Sequence, residues 1–175
     1  MPEVWLINGI PGSGKTTTAR RLASRLPRAA HIEGDLLQEF IVSGSVPPGG
    51  QPPSEEERQI HLNVRNQCLL ACSFAREEII PVIDYVIVSK DRIEEYRRQL
   101  PGLKSHLVTL APGIPTALER DQKRLEKTVA HFWTHLDETM RAELSGIGLW
   151  VDNSQMSLDD TVDYILSHKA KAVTG

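Results

Sequence analysis

Two cysteines are all the thiol chemistry this 175-residue chain has, and aromatic residues make up only 5% of it. Cys68 and Cys72 stand four apart in a segment with helix character, so small buried apolar side chains are expected there rather than a disulfide. The chain also lacks any window of the roughly 18 apolar residues that a membrane-spanning helix needs. Strand character begins almost at Met1, which leaves no room for a signal peptide, and a cytoplasmic location follows by default. Nor is there an excess of positive charge. The net charge is −3 and the pI near 6.1, so no broad basic surface draws the chain to nucleic acid or to an anionic membrane. With 40% hydrophobic and 25% charged residues, the rest is ordinary for one soluble domain, which at this size buries roughly 70% of its unfolded surface.

The glycines are placed rather than scattered. Gly9 to Thr16 reads Gly-Ile-Pro-Gly-Ser-Gly-Lys-Thr, matching G-x-x-x-x-G-K-[ST] at every fixed position. Val4 to Ile7 ahead of it has strand character. Lys15 to Leu26 behind it has helix periodicity, with Ala19, Leu22, Ala23 and Leu26 on one face. A strand turning through glycines into a helix N-terminus presents successive N–H groups and the positive end of the helix to a phosphate. The motif therefore implies a nucleoside triphosphate, expected to be ATP with Mg²⁺. Gly9, Pro11, Gly12, Ser13, Gly14, Lys15, Thr16 and Thr17 form the expected nucleotide-binding set. Lys15 would set a point charge between the β- and γ-phosphates, and the Thr16 hydroxyl would hold Mg²⁺.

Downstream, strand and helix patterns alternate. Ala29–Ile32 reads as a strand, and Leu36–Val42 as a short helix with Asp35 near its N-cap. Residues 43–54 form a flexible Pro/Gly loop. Ser54-Glu55-Glu56-Glu57 has the form of a capping box that opens a long helix to about Glu78. Ile79 to Val88 is a nearly continuous apolar run, as expected of a central parallel strand. Helices are expected at 92–100, 114–128, 136–144 and 158–168, and strands at 105–110 and 148–151. This order predicts an α/β fold of about five parallel strands flanked by helices.

Two carboxylates interrupt this pattern. Asp84 sits in the apolar run, where an unpaired acid is costly. It is expected either to act on Mg²⁺ at the strand end with Thr16, or to cap a turn or pair with a buried arginine. Asp35 follows the second strand at the edge of the sheet where ligands bind, so it could accept a proton from a substrate hydroxyl, or simply cap its helix. Arg120, Lys123, Arg124 and Lys127 form a basic cluster over two helical turns. It reads as a lid over the triphosphate at about 120–136, with Arg120 and Arg124 on one face. His131 and His135 share a four-residue spacing, but no Glu or Cys stands at a helpful spacing, so metal ligation by that pair alone is weak.

Ile7-Asn8-Gly9 through Thr16, His31-Ile32-Glu33-Gly34-Asp35, Val82-Ile83-Asp84, Leu118-Glu119-Arg120-Asp121 and Gly148 to Asp152 together resemble the small P-loop kinases of the nucleotide- and shikimate-kinase-like fold. Within that group the chain resembles the chloramphenicol phosphotransferase-like proteins, which are often labelled only as AAA-family ATPases. The resemblance implies ATP-dependent phosphorylation of a hydroxyl on a small molecule such as an antibiotic, a sugar or a nucleoside-like compound. It implies that Asp35 is the base, that Arg120 is the lid arginine, and that Asp152-Asn153-Ser154 passes the adenine, with Asn153 at the nucleotide. A polynucleotide 5′-kinase and a nucleotide-binding regulatory ATPase are the alternatives. The arginine pair that holds an acceptor phosphate in nucleoside monophosphate kinases has no counterpart near Asp35. Arg58, Arg65 and Asn66 are candidates to contact the acceptor.

Overall fold

The computed structural model describes residues 2–122 and 135–174. Five strands form one parallel sheet: β1 (Glu3–Asn8), β2 (Ala29–Glu33), β3 (Ile80–Asp84), β4 (Lys104–Leu110) and β5 (Leu149–Val151), in the order β2-β3-β1-β4-β5. The helices are α1 (Lys15–Arg25), α2 (Gly34–Gln38), α3 (Pro53–Arg76), α4 (Lys90–Gln99), α5 (Ile114–Gln122), α6 (His135–Leu144) and α7 (Leu158–Ser167), with a 3-10 turn at Lys169–Ala172.

Alternation along β1 sorts the core into two layers. Val4 and Leu6 join Val64, Cys68 and Ala71 of α3, Ile93 and Tyr96 of α4, and Met140 of α6 on one face. Trp5 and Ile7 join Ala19 and Leu22 of α1 and Val162 and Ile165 of α7 on the other. Both faces of the sheet are covered, which is why β1 and β3 are mostly apolar. Both cysteines are free and Cys68 is buried. No helix among the described residues is long and apolar enough to cross a membrane.

Several boundaries differ from the sequence reading, each for a physical reason. The apolar run 79–88 is a strand only over Ile80–Asp84. Beyond it, the backbone N–H and C=O of Ile87 are both taken by the Asn8 side chain, at 2.8 and 3.0 Å. Tyr85 and Ile87 are buried as loop. The capping box at Ser54 does not form. Pro53 opens α3 with its pre-set φ, Pro52 stands at the cap, and no side chain caps that end. Glu57 instead reaches Arg92 and His61. The loop after α2 accordingly ends at Pro52. Nor is Asp35 an N-cap: α2 begins at Gly34, Asp35 lies in its first turn, and the helix stops at Gln38 rather than Val42. The lid expected at about 120–136 falls mostly outside the described residues, as do Lys123, Arg124, Lys127 and His131.

At the opposite edge of the sheet, Glu3 accepts from Lys169 at 2.8 Å and faces the buried His106 at 3.3 Å. His106 stacks on Trp5 with ring centroids 4.5 Å apart. Burial works to raise the Glu3 carboxyl, but the Lys169 ammonium and His106 together hold it below its ordinary value. Burial holds the His106 imidazole below its ordinary value too. Both groups then bind fewer protons folded than unfolded, so their contribution is present at neutral pH and is lost on acidification. The thermal midpoint is expected to fall between about pH 7 and pH 4, with Glu3→Gln flattening the lower part of that profile. A midpoint independent of pH over this range in the native chain would contradict the assignment.

Candidate active site

The carboxyl edge of the sheet collects the expected residues. Ile7 of β1, Asp84 of β3 and Glu33 of β2 lie level in register. The glycine loop after β1, the acid that ends β3 and the corner after β2 therefore open on one side. Gly14 adopts φ +93° as the left-handed cap of α1 and accepts from the Thr18 N–H at 2.9 Å. Gly12, at φ +83°, passes so close to α5 that a Cβ there would sit 2.1 Å from the Ala117 carbonyl oxygen. The loop from Gly9 through Pro11 to Ser13 is closed by the Ser13 N–H donating to Ile10 O at 3.1 Å. Thr17 follows in the first turn of α1.

Lys15 is nearly buried, and its ammonium donates to Ile10 O at 3.3 Å. Thr16 Oγ1 donates to Asp84 Oδ2 at 2.8 Å. The other oxygen of Asp84 is met by His31 Nε2 at 2.5 Å. Asp84 is 3% exposed, so it has neither the turn-capping role nor the arginine partner left open by sequence. Its partners are a hydroxyl and an imidazole. His31 is the residue that sequence reading passed over, since a lone histidine on a strand gives no sign of its register opposite an acid.

Beside the glycine loop, Asn153 Nδ2 donates to Ser13 O at 3.1 Å, and Arg120 donates to Asn153 O at 2.8 Å. Arg120, Asn153 and the loop are thereby joined. Ser13 Oγ and Asn153 Oδ1 are buried and unpartnered. Such open valences at a closed loop suit a polar ligand. An open groove of about 400 Å³ starts at Thr16 and Thr17 and runs past Arg20, Arg21 and Ser24 to Leu158.

The Asp35 corner is held from behind. Asn63 of α3 donates to Gly34 O at 2.9 Å, Gln67 donates to Asn63 at 3.0 Å, and the Tyr96 hydroxyl donates to Gln67. A Cβ on Gly34 would stand 2.5 Å from the Tyr85 ring. Burial first, and then the Asp35 charge, push the Tyr85 phenol up to about 12, so it stays a proton donor beside Asp35. Asp35 itself is exposed. The amides Gln59, Asn63 and Gln67, four apart on one helix face, are the signal that reading by charged residues missed. Arg58 and Arg65 lie off this face, lining a groove with Glu95 and Gln99 of α4.

A family model described as an AAA domain matches residues 4–144. The chain belongs to this AAA-domain family. An adenylate kinase from Sulfurovum sp. is 32% identical over 100 residues, 56% of this chain and 46% of that protein. A probable adenylyl-sulfate kinase from Aeropyrum pernix is 29% identical over 130 residues, 71% of this chain and 66% of that one. The chain thus spans about half to two thirds of these relatives' length. The solved structure of a sugar kinase from Janibacter sp. superposes on 100% of the chain, covering 99% of its own, with a TM-score of 0.75 at 19% identity. The fold of this AAA-domain chain is that of the P-loop small-molecule kinases.

Thr16 and Asp84 offer the hard oxygen donors that suit Mg²⁺. Among the described residues there is no cluster of three or more His, Cys, Asp or Glu side chains to hold another metal.

Proposed function

We propose that the chain is an ATP-dependent phosphotransferase that moves the γ-phosphoryl group to a hydroxyl of a small molecule, whether antibiotic, sugar or nucleoside-like. The observation that carries this reading is the Thr16–Asp84 hydrogen bond next to Lys15, with Asp35 just beyond the same sheet edge. A nucleotide-binding loop alone needs no second acid across the site.

In this reading the N–H groups at the start of α1 and the Lys15 ammonium hold the phosphates, with Thr16 and Asp84 as the residues that would hold Mg²⁺. The ion, when bound, neutralises charge on the β- and γ-phosphates. Ser13 turns its open hydroxyl to the nucleotide, and Arg120, anchored on Asn153, walls the nucleotide side; Arg124 is assigned the same role. The Asp35 carboxylate takes the proton of the acceptor hydroxyl. The acceptor oxygen forms its bond to the γ-phosphorus as the bond to the ADP oxygen breaks. Transfer to a small neutral hydroxyl is favoured over a polynucleotide, because the chain carries net negative charge.

Incubation with γ-labelled ATP and hydroxyl-bearing antibiotics, nucleosides, sugars and a 5′-hydroxyl oligonucleotide tests this, with Lys15→Ala as the blank. Labelled small-molecule product absent from the blank is expected. Phosphate release without any labelled product would instead favour the regulatory ATPase, and label only on the oligonucleotide would favour the polynucleotide kinase.

A further inference from the structure

We infer that the acceptor carries no phosphate, sulfate or carboxylate, and that it presents an apolar part to α2. This rests on the phosphotransferase reading and narrows its substrate class.

The first argument is charge. From Glu33 to Glu57 the chain has six acidic residues (Glu33, Asp35, Glu39, Glu55, Glu56 and Glu57) and no Lys, Arg or His. This stretch runs from the end of β2 through α2 and the Pro/Gly loop into α3, so it is the wall next to Asp35. Glu33, Glu55 and Glu57 are paired with Arg20, Arg58 and Arg92. Asp35, Glu39 and Glu56 have no ion pair among the described residues, so theirs is the charge an anion would meet, and like-charge juxtaposition is how sites reject wrong partners.

Among the described residues, the cations nearby are turned elsewhere. Arg58 gives two hydrogen bonds to Glu55, both at 2.7 Å. Arg92 is held by Glu57 and Glu95. Arg65 lines the α3–α4 groove with Arg58, His61 and Glu95. Arg20 reaches the wall from α1, on the opposite face of the sheet, and lies 3.8 Å from Glu33.

The helix face toward the corner is built from amides. Gln59, Asn63 and Gln67 are each at most 3% exposed. Their hydrogen bonds are spent inward: Gln59 on Val46 N and Gly44 O, Asn63 on Gly34 O, Gln67 on Asn63. They fix the wall without charging it. A phosphate or carboxylate would need arginine on this face to be bound bidentately.

The second argument is apolar surface. Leu36, next to Asp35, is 50% exposed, and Phe40, two residues past the end of α2, is 70% exposed. In small-molecule sites apolar contact supplies affinity while a few polar groups orient the ligand, and Leu36 and Phe40 are the exposed large apolar side chains nearest Asp35 in the chain. Together the two features select a hydroxyl compound with an uncharged or cationic apolar body.

The experiment uses matched pairs. Hydroxyl-bearing antibiotics, nucleosides and aryl glycosides are each set beside a phosphate, sulfate or carboxylate derivative that keeps a free hydroxyl. Label transfer from Mg–ATP is measured, and so is equilibrium binding with a non-hydrolysable ATP analogue. The expected result is that at least one apolar-bodied parent is bound and labelled about tenfold or more better than its anionic partner. Phe40→Ser should weaken the parent several-fold, and Glu39→Arg should narrow the gap by improving the anion. Anionic members bound or labelled as well as their parents would overturn the inference, as would no binding by either set. Selective binding of the parents with no label transferred would leave the inference standing and remove the phosphotransferase reading instead.

Discussion

Replacing Lys15 with alanine is expected to end phosphoryl transfer, lowering kcat by about 10³-fold or more while the protein stays folded. The charge sits at the first residue of α1 and is nearly buried, its ammonium on the Ile10 carbonyl. A preorganised cation in such a place costs no reorientation when negative charge moves from the γ-phosphoryl group to the leaving ADP oxygen. Alanine keeps the helix and removes the charge. Lys15→Arg is expected to fail as well, because a planar guanidinium does not fit where the loop closes around a compact ammonium. Circular dichroism and thermal unfolding of both variants would separate loss of chemistry from loss of fold. Turnover within tenfold of the native chain, with ATP still bound, would remove Lys15 from the transfer step.

The phosphate loop and the strand–helix alternation were legible because they depend on local signals. Glycine is needed at Gly12 and Gly14 for backbone reasons that hold in any context, and the period of α1 is set by Ala19 and Leu22. Where reading failed, tertiary structure intervened. The run to Val88 is apolar because it is buried, yet burial does not make a strand. The Asn8 side chain takes the Ile87 backbone groups that a neighbouring strand would have bonded. Ser54 and Glu57 had the spacing of a capping box, but Arg92, thirty-five positions on from Glu57, drew that carboxylate away. In the site, Asp84 stood out in sequence as an acid in an apolar strand. Its partner His31 did not, because only the β2–β3 register brings the two together. The same limit applied to Asn63 and Gln67: an amide shows its purpose only when the carbonyl it holds is known.

That support behind Gly34 bears on the second large effect. Asp35→Asn is expected to lower transfer by about 10²–10⁴-fold while ATP affinity stays within a few-fold. Asn is nearly isosteric and keeps the polar surface of the corner, but it cannot take a proton. The residue is exposed at the head of α2, and its backbone is fixed from α3 through Asn63 and Gly34. The substitution should therefore cost little stability, and thermal unfolding would show this directly. The split between constants carries the argument. A fall in kcat with KM for ATP unchanged assigns Asp35 to the acceptor's proton. Parallel loss of Mg–ATP binding would assign it to the metal or the nucleotide, leaving the acceptor hydroxyl without a base.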